Sequence, residues 1–180
     1  MLHFVTTNPG KVREARDYLG DDVRQFDYDY AEIQSDDLAD IAARGAREAR
    51  EAAPGDDPVI VDDSGLFVDA LDGFPGPYSS YVHERLGIER VQELVAAEDD
   101  HGAAFETVVA YADGDGVETF TGRAEGTIVS PRGDGGFGYD PIFEYGGTTF
   151  AEMTSEEKND VSHRGAALAK LADWLDTRSR

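Results

Sequence analysis

Residues 58–65 read Pro58-Val59-Ile60-Val61-Asp62-Asp63-Ser64-Gly65. A short apolar, β-branched run that ends in acids and a glycine predicts a buried strand. Because ligands of open α/β sheets bind beyond the carboxyl ends of the strands, carboxylates at that place indicate a functional site. Neighbouring strand residues point to opposite faces, so we expect one of Asp62 and Asp63 to serve the site while the other braces the loop.

The chain before this strand predicts a strand, a helix, a second strand and a second helix. Apolar residues at 2–6 enter a turn at 6–11, after which apolar residues follow at helical spacing. Residues 23–28 suit the second strand, and apolar residues three and four apart predict the second helix at 38–49. The candidate N-caps of that helix are Ser35 and Asp36.

The middle of the chain predicts antiparallel strands. Runs at 105–112 and 117–123 flank the sequence Asp113-Gly114-Asp115-Gly116, which is typical of a hairpin turn. Alternation of apolar and polar residues continues beyond the second run. A glycine-rich loop at 133–138 then precedes a strand predicted at 139–143.

The last part of the chain predicts two helices. Thr154 and Glu157 have the spacing of a capping box, and Ser162 suits the N-cap of the final helix. Together the elements predict an α/β fold with a mixed twisted sheet flanked by helices. We expect a single domain over 1–180, in which an N- and C-terminal lobe and a central hairpin lobe at about 103–129 enclose a cleft.

The composition is strongly acidic. The chain has 180 residues, with 38 Asp and Glu against 16 Lys and Arg, and a formal net charge of -22. Without clustered Lys and Arg such a surface repels phosphate backbones and anionic lipids, so we expect neither nucleic acid nor a membrane as a partner. The chain has no cysteine, which excludes thiolate chemistry, and no leader-like segment opens it, so we expect a cytoplasmic location. We interpret the acidity as an adaptation to high salt, which screens repulsion between like charges.

The first candidate site is the turn Thr6-Thr7-Asn8-Pro9-Gly10-Lys11. Backbone amides at a helix N-terminus point outward there, and Lys11 adds a positive charge, which is typical of phosphate binding. The glycine spacing and the Ser/Thr of the Walker pattern are missing. Since Asn-Pro-Gly is also an ordinary turn sequence, a purely structural turn is the alternative.

The second candidate site is the acidic segment Asp62-Asp63-Ser64-Gly65. A carboxylate there can ligate Mg²⁺ or deprotonate a water molecule, and the Ser64 hydroxyl can donate to a phosphate oxygen. Glu32, just ahead of the second helix, supplies a further acid, and two or three oxygen ligands together with substrate phosphates suit Mg²⁺. The alternative is a turn-capping pair of acids in an acid-rich chain.

The third candidate site is the loop Gly136-Phe137-Gly138-Tyr139-Asp140. Its glycines let the backbone approach a ligand closely, and an aromatic ring offers a face on which a base can stack. A hairpin turn with core aromatic residues is the alternative. The fourth candidate consists of Lys158, His163 and Arg164, which concentrate hydrogen-bond donors in an acidic chain and so suit a base with oxo groups.

These four blocks, in this order and spacing, resemble the inosine/xanthosine triphosphate pyrophosphatase family, which hydrolyses non-standard purine nucleoside triphosphates. The resemblance covers nearly the whole chain and includes the segment Gly73-Phe74-Pro75-Gly76-Pro77-Tyr78-Ser79. It implies a homodimeric α/β protein whose two lobes enclose the nucleotide. It also implies Mg²⁺-dependent cleavage between the α- and β-phosphates of ITP, dITP or XTP, giving a monophosphate and pyrophosphate.

The resemblance assigns Asp63 as proton acceptor and metal ligand, and Glu32 as a second metal ligand. A water held by Asp63 and Mg²⁺ would then attack the α-phosphorus in line. The lysine that the family often carries on the helix after Glu32 corresponds here to Arg47, whose planar fork binds oxygens differently. The implied phosphate-binding residues are Thr6, Thr7, Asn8, Pro9, Gly10, Lys11 and Ser64, and the residues implied for the rest of the nucleotide are Phe137, Gly138, Tyr139, Asp140, Lys158, His163 and Arg164.

Within these implied roles, we expect Phe137 to stack on the base and Arg164 or His163 to read its 6-oxo group. Donors favour a 6-oxo purine, because a 6-amino group facing them would leave both partners unpaired. Two other functions remain as alternatives: a pyrophosphatase for other modified nucleotides, and a sensor that binds nucleotide without cleaving it. The presence of Asp63 and Lys11, together with Ser64, argues against the sensor.

Overall fold

The computed structural model describes residues 1–178, and Ser179 and Arg180 lie outside that range. The strands in this range are β1 (Leu2–Val5), β2 (Val23–Phe26), β3 (Val59–Val68), β4 (Pro75–Gly76), β5 (Gly102–Ala112), β6 (Val117–Ile128), β7 (Phe143–Tyr145) and β8 (Thr148–Thr149). The helices are α1 (Pro9–Leu19), α2 (Leu38–Ala52), α3 (Ser79–Leu86), α4 (Ile88–Ala96), α5 (Ser155–Val161) and α6 (His163–Arg178). Single turns of 3-10 helix lie at Asp69–Leu71 and Asp140–Ile142.

The strands form one mixed sheet. Their order is β2-β1-β3-β5-β6-β7-β8, with β4 paired to β3. β1 lies parallel to β2 and β3, whereas β3 with β4, β6 with β7 and β7 with β8 pair antiparallel. The predicted α/β class with a mixed sheet and helices is therefore confirmed.

The strand with the two acids is longer than the sequence predicts. Its pairing with β1 ends at Val61, but the strand continues through Asp62 and Asp63 and pairs with β4 from Leu66 onward. Gly65 makes this extension possible, because a Cβ there would clash with the backbone of β4. The two carboxylates therefore lie within β3, directly after the last residue that pairs with its parallel neighbour.

The described chain divides into two compact units, each with an apolar core. Unit 1 comprises Met1–Asp63, Thr107–Gly122 and the chain from Arg164, and unit 2 comprises Ser64–Glu106 and Arg123–His163. The core of unit 1 includes Phe4, Val12, Val23, Ile60, Val109, Tyr111, Leu168 and Leu171. The core of unit 2 includes Leu66, Val82, Val91, Phe105, Ile142, Phe143 and Phe150.

The hairpin of β5 and β6 differs from the expected separate lobe at about 103–129. Its turn half belongs to unit 1, whose core contains Val109 and Tyr111. Its other half belongs to unit 2, whose core contains Phe105 and Ile128. The two strands have 11 and 12 residues, which is long enough for their halves to bury different apolar sets.

Local signals in the sequence are mostly confirmed. Thr154 and Glu157 form the predicted capping box, in which each residue accepts the backbone N–H of the other. The N-cap of α2 is Asp37 rather than Ser35 or Asp36, since its carboxylate accepts the N–H two residues on. α3 was not predicted, because only two of its positions are buried and the apolar spacing is too sparse. Within residues 1–178, no helix has both the length and the apolar character needed to cross a membrane.

Candidate active site

The turn between β1 and α1 has the geometry of a capped helix start. The Asn8 side chain accepts the N–H of Gly10 at 2.8 Å, and the Asn8 N–H donates to Thr6 Oγ1 at 3.0 Å. Pro9, the first helical residue, suits that position because its ring presets a helical φ. Thr7, Asn8 and Pro9 are exposed, so solvent reaches the positive end of the α1 dipole.

Lys11, in the first turn of α1, is paired with a carboxylate of β3. Its Nζ donates to Asp62 Oδ1 at 2.9 Å, while Arg164 Nε donates to Asp62 Oδ2 at 2.7 Å. The Asp62 side chain is 1% exposed. Burial alone would raise the pKa of Asp62, but the charges and hydrogen bonds of Lys11 and Arg164 outweigh it and hold that pKa well below its ordinary 3.8.

Arg164 joins this pair to a second carboxylate. Its Nη1 lies 3.4 Å from Glu14 Oε2, and both side chains are buried. Burial lowers the pKa of Arg164, whereas Asp62 and Glu14 raise it, and the net shift is upward. Lys11, Arg164, Asp62 and Glu14 thus form a network of two cations and two anions from α1, β3 and α6, in which Lys11 is partly exposed and the other three side chains are buried. We call these four residues the buried ion network.

Asp63, the next residue on β3, lies in a different environment. It is partly exposed, as expected for the opposite face of the strand. The pKa of Tyr30 is raised above its ordinary 10.0, first by burial and then by the charges of Asp63, Glu32 and Asp62.

The donor set near Asp63 fits one mode of Mg²⁺ binding. Among residues 1–178, no group of three or more His, Asp or Glu side chains is arranged to hold a metal by itself. Mg²⁺ keeps several waters and is usually held by one or two carboxylates together with substrate phosphates. Glu32, which is exposed, and Asp63, which is partly exposed, are the two carboxylates that would take part in that mode.

The loop before the second 3-10 turn is built around Asp140 in unit 2. Asp140 Oδ2 accepts the N–H of Phe137 at 2.8 Å and Lys158 Nζ at 2.5 Å. Gly136 has a φ of +69°, and a Cβ on it would collide with the Asp140 carboxylate. Asp140 therefore shapes the loop and holds Lys158, so its predicted part in nucleotide binding would act through these two neighbours.

Phe137 and Lys158 form an exposed aromatic face with a cation beside it. The Phe137 ring is 61% exposed. Lys158 Nζ lies 4.6 Å from the centre of that ring and 5.4 Å from the centre of the Phe150 ring. An exposed ring of this kind suits stacking on a base, as the sequence predicts.

The other residues predicted for the nucleotide in unit 2 are more buried. Tyr139 donates its hydroxyl to the Ser79 carbonyl at 2.8 Å, and burial raises its pKa to about 12. The buried His163 ring stacks on Phe105 with centres 4.9 Å apart. Ser64 follows Asp63 directly and is partly exposed. Arg164 was expected beside Lys158 and His163, but it belongs to unit 1 and to the buried ion network.

Sequence reasoning missed two residues that pack against each other, since a Cβ on Gly45 would lie 2.5 Å from the Tyr30 ring. Tyr30 lies in an acidic connection without regular structure, where an aromatic residue is itself a signal of burial. Gly45 lies inside α2, and a glycine inside a helical pattern usually has a packing reason. Arg47, on the same helix, is exposed.

The structure has a mixed α/β sheet, a capped helix start with a lysine, and acids beside that helix, which are features of α/β proteins that bind phosphate at a helix N-terminus. A sequence model of the Ham1 family matches residues 2–174. The chain therefore belongs to the Ham1 family.

Known relatives match the chain over almost its full length. The dITP/XTP pyrophosphatase of Thermococcus kodakarensis is 51% identical over 97% of this chain and 96% of its own. The inosine triphosphate pyrophosphatase of Emericella nidulans is 44% identical over 97% of this chain and 96% of its own. The fold is similar to that of the Staphylococcus aureus Ham1 protein, with a TM-score of 0.87 and 29% identity over 98% of both chains.

Proposed function

We propose that this protein hydrolyses non-standard purine nucleoside triphosphates, namely ITP, dITP and XTP, to the monophosphate and pyrophosphate. Membership of the Ham1 family and relatives that are named for dITP, XTP and inosine triphosphate support this substrate class. The observation that carries the chemistry is the contrast between the adjacent carboxylates Asp62 and Asp63. Two cations hold Asp62 as a buried anion, whereas Asp63 is partly exposed on the other face of β3.

This contrast assigns different roles to the two acids. Lys11 and Arg164 stabilise the charge of Asp62, and the lowered pKa makes it a weak proton acceptor. We therefore assign Asp63 as the carboxylate that accepts the proton of an attacking water. Asp62 is a positioning residue that holds Lys11 beside the exposed start of α1, and Arg164 orients Asp62.

The reaction is an in-line displacement at the α-phosphorus. The water oxygen forms a bond to phosphorus as the bond to the oxygen that bridges the α- and β-phosphates breaks. The water proton passes to Asp63, and pyrophosphate leaves. Lys11 and the backbone amides at the start of α1 stabilise the negative charge on the leaving group. Most of the rate enhancement comes from this positioning and charge stabilisation.

Mg²⁺ is part of the proposal. Glu32 and Asp63 would hold it, and when bound it supplies positive charge to the phosphate oxygens.

In unit 2, Phe137 stacks on the base, and Lys158 and His163 supply the donors for its oxo groups. The donors favour a 6-oxo purine over adenine, because a 6-amino group facing them would leave both partners unpaired.

We further propose a homodimer in the cytoplasm, and sedimentation velocity tests the dimer.

Phosphorus NMR tests the reaction directly. Purified protein in molar KCl with Mg²⁺ is given ITP, XTP, ATP or GTP in separate samples. We expect monophosphate and pyrophosphate, mainly from ITP and XTP. Orthophosphate and a diphosphate would move the cut to the terminal phosphate and overturn the mechanism. Binding without turnover would favour the nucleotide sensor.

The variant Asp63→Asn tests the proposed proton acceptor. We expect turnover to fall by roughly 10²–10⁴-fold, because general base catalysis contributes about that much. The free energy of unfolding should change little, since Asp63 is partly exposed. Glu118→Gln, which removes an exposed acid from β6, is the matched control for the loss of one negative charge. Near-normal turnover in Asp63→Asn would reject the assignment.

A further inference from the structure

Helix α3 begins with a buried polar side chain. Two of its eight residues are buried, Ser79 and Val82. A buried hydroxyl is costly unless it is hydrogen-bonded, and alanine would occupy the same position as a better helix former. A serine at this position therefore indicates a specific polar contact rather than packing alone.

The Ser79 hydroxyl bridges the two strands that precede α3. It donates to the Gly76 carbonyl at 2.6 Å and accepts the Leu66 N–H at 2.8 Å. Leu66 and Gly76 are register partners of β3 and β4, so the hydroxyl binds both members of one cross-strand pair. The side chain thus fixes the start of α3 to β3 at a point two residues beyond Ser64.

The Ser79 carbonyl binds the loop that carries Phe137. The Tyr139 hydroxyl donates to this carbonyl at 2.8 Å, and both residues are buried. His83, one turn further along α3, packs edge-on against the Tyr139 ring with the ring centres 5.5 Å apart. Tyr139 follows the exposed Phe137 by two residues, so it attaches the loop to α3 close to the ring on which a base can stack.

Ser79 therefore connects the loop to β3 by two hydrogen bonds, both within unit 2. Its carbonyl accepts from Tyr139, and its hydroxyl accepts from Leu66. An enzyme that selects a base and cleaves at a phosphate must hold the groups that read the base at a fixed position relative to the groups that hold the phosphates. A displacement of about 1 Å that arises far from the chemistry can lower the rate roughly 10²-fold.

We propose that Ser79 is a positioning residue, which fixes the base-binding loop relative to the Ser64 end of β3 and on which the selectivity for ITP over ATP depends. This inference rests on the proposed function, because it takes Phe137 and Lys158 as residues that bind the base. Ser79 is itself buried, so it acts through Tyr139 and β3 rather than by contact with the nucleotide.

The test compares ITP with ATP in variants that break the connection on either side. Tyr139→Phe removes the hydroxyl that binds the Ser79 carbonyl and keeps the ring, whereas Ser79→Ala removes the bridge to β3. We expect each variant to lower kcat/KM for ITP roughly 10- to 10²-fold and kcat/KM for ATP much less, because the donors of the loop pair only with the 6-oxo base. A merely structural role would lower both values alike, and an unchanged ITP/ATP ratio would overturn the proposal.

The double variant tests whether the two substitutions break one connection. If they do, its ITP/ATP ratio should be about that of the more affected single variant, because the effects of residues that act through each other are not additive. Effects that multiply would show two independent contributions and would overturn the role of Ser79 as the link. If Ser79→Ala does not fold, Tyr139→Phe decides the proposal by its ratio.

Tyr111→Phe is the matched control. Tyr111 is a buried tyrosine in the core of unit 1, and its hydroxyl is hydrogen-bonded to Asp113. Its ITP/ATP ratio should equal that of the wild type, even where the melting temperature falls. A ratio that falls as far in Tyr111→Phe as in Tyr139→Phe would overturn the proposal, since the loss of any buried hydroxyl would then lower selectivity.

Phosphorus NMR of the wild type separates this inference from the proposed function. Pyrophosphate release mainly from ITP, with unchanged ITP/ATP ratios in the variants, refutes the inference and leaves the proposed function standing. A wild type that cleaves ITP and ATP equally well overturns both the inference and the proposed selectivity.

Discussion

Unit 1 and unit 2 each contain an ion pair between a partly buried lysine and a buried aspartate, and the surroundings of the two pairs differ. Lys11 pairs with Asp62 at 2.9 Å, and Lys158 pairs with Asp140 at 2.5 Å. The aspartate side chains are 1% and 3% exposed, respectively. Asp62 has a second cation as a partner, Arg164, whereas Asp140 accepts a backbone N–H instead.

The different partners give the two aspartates different structural roles: Asp62 connects several elements, and Asp140 holds a single loop. Asp62 joins α1, β3 and α6 through Lys11 and Arg164, so its charge holds three elements of unit 1 together. Asp140 joins Lys158 to one loop of unit 2. A buried charge with several partners is costly to leave incomplete, because every partner loses its compensation at once. Damage to Asp62 should therefore spread, and damage to Asp140 should remain near its loop.

The largest expected effect is that of Asp62→Asn. The substitution leaves Lys11 and Arg164 with too little negative charge in a buried place, so we expect the free energy of unfolding to fall by roughly 3–5 kcal/mol. Urea denaturation in molar KCl measures it. Asp140→Asn is the matched control and should cost clearly less, since one cation and one amide lose their partner. Equal losses would contradict the distinction between the two pairs.

The next effect is the pH dependence of stability that Asp62 contributes. Lys11 and Arg164 keep Asp62 ionised in the folded protein at pH values where the unfolded chain already binds a proton. Its stabilising contribution is therefore present above about pH 4 and is lost as the pH falls below that value. The unfolding free energies of wild type and Asp62→Asn should approach each other as the pH falls from about 4 to about 2. A constant gap over that range would refute the depressed pKa.

A smaller effect is expected from the loop that Asp140 shapes. Gly136 and Gly138 both have positive φ, but a Cβ collides with Asp140 only at Gly136, whereas Gly138 faces open space. Either alanine substitution should cost roughly 1–2 kcal/mol of backbone strain. Gly136→Ala should in addition raise the KM for ITP, because it moves the carboxylate that holds Lys158. Steady-state kinetics of both variants isolates this difference, and identical KM values would mean that Asp140 does not shape the binding loop.

The smallest effect is expected from Lys158→Met. Loss of the cation beside Phe137 should raise the KM for ITP about tenfold, equivalent to about 1.4 kcal/mol, with kcat nearly unchanged. Lys170→Met is the control, since Lys170 is exposed and donates to the Thr121 carbonyl. Steady-state kinetics separates the two parameters. A fall in kcat without a change in KM would place Lys158 in the chemical step instead.

What the sequence predicts correctly here is mostly local. Strand alternation separates Asp62 from Asp63, and turn and capping rules place the start of α1 and the capping box of α5, because each rule acts over a few residues. The partners of Lys11 and Arg164 follow from the topology of the sheet, since Asp62 is 51 and 102 residues away from them. Composition alone does not reveal which acid a distant cation will meet. The packing of Tyr30 against Gly45 was missed because it also joins residues of two different chain segments.

The order of chain segments within the two units has a consequence for synthesis on the ribosome. Unit 1 begins with β1 and α1 but needs Leu168 and Leu171 of α6 to complete its core. Unit 2 lies between these segments and is interrupted by the tip of the β5-β6 hairpin. A nascent chain therefore carries Asp62 for about a hundred residues before its partner Arg164 has been synthesised. The buried ion network can therefore close only after the last helix, which carries Arg164, has been synthesised.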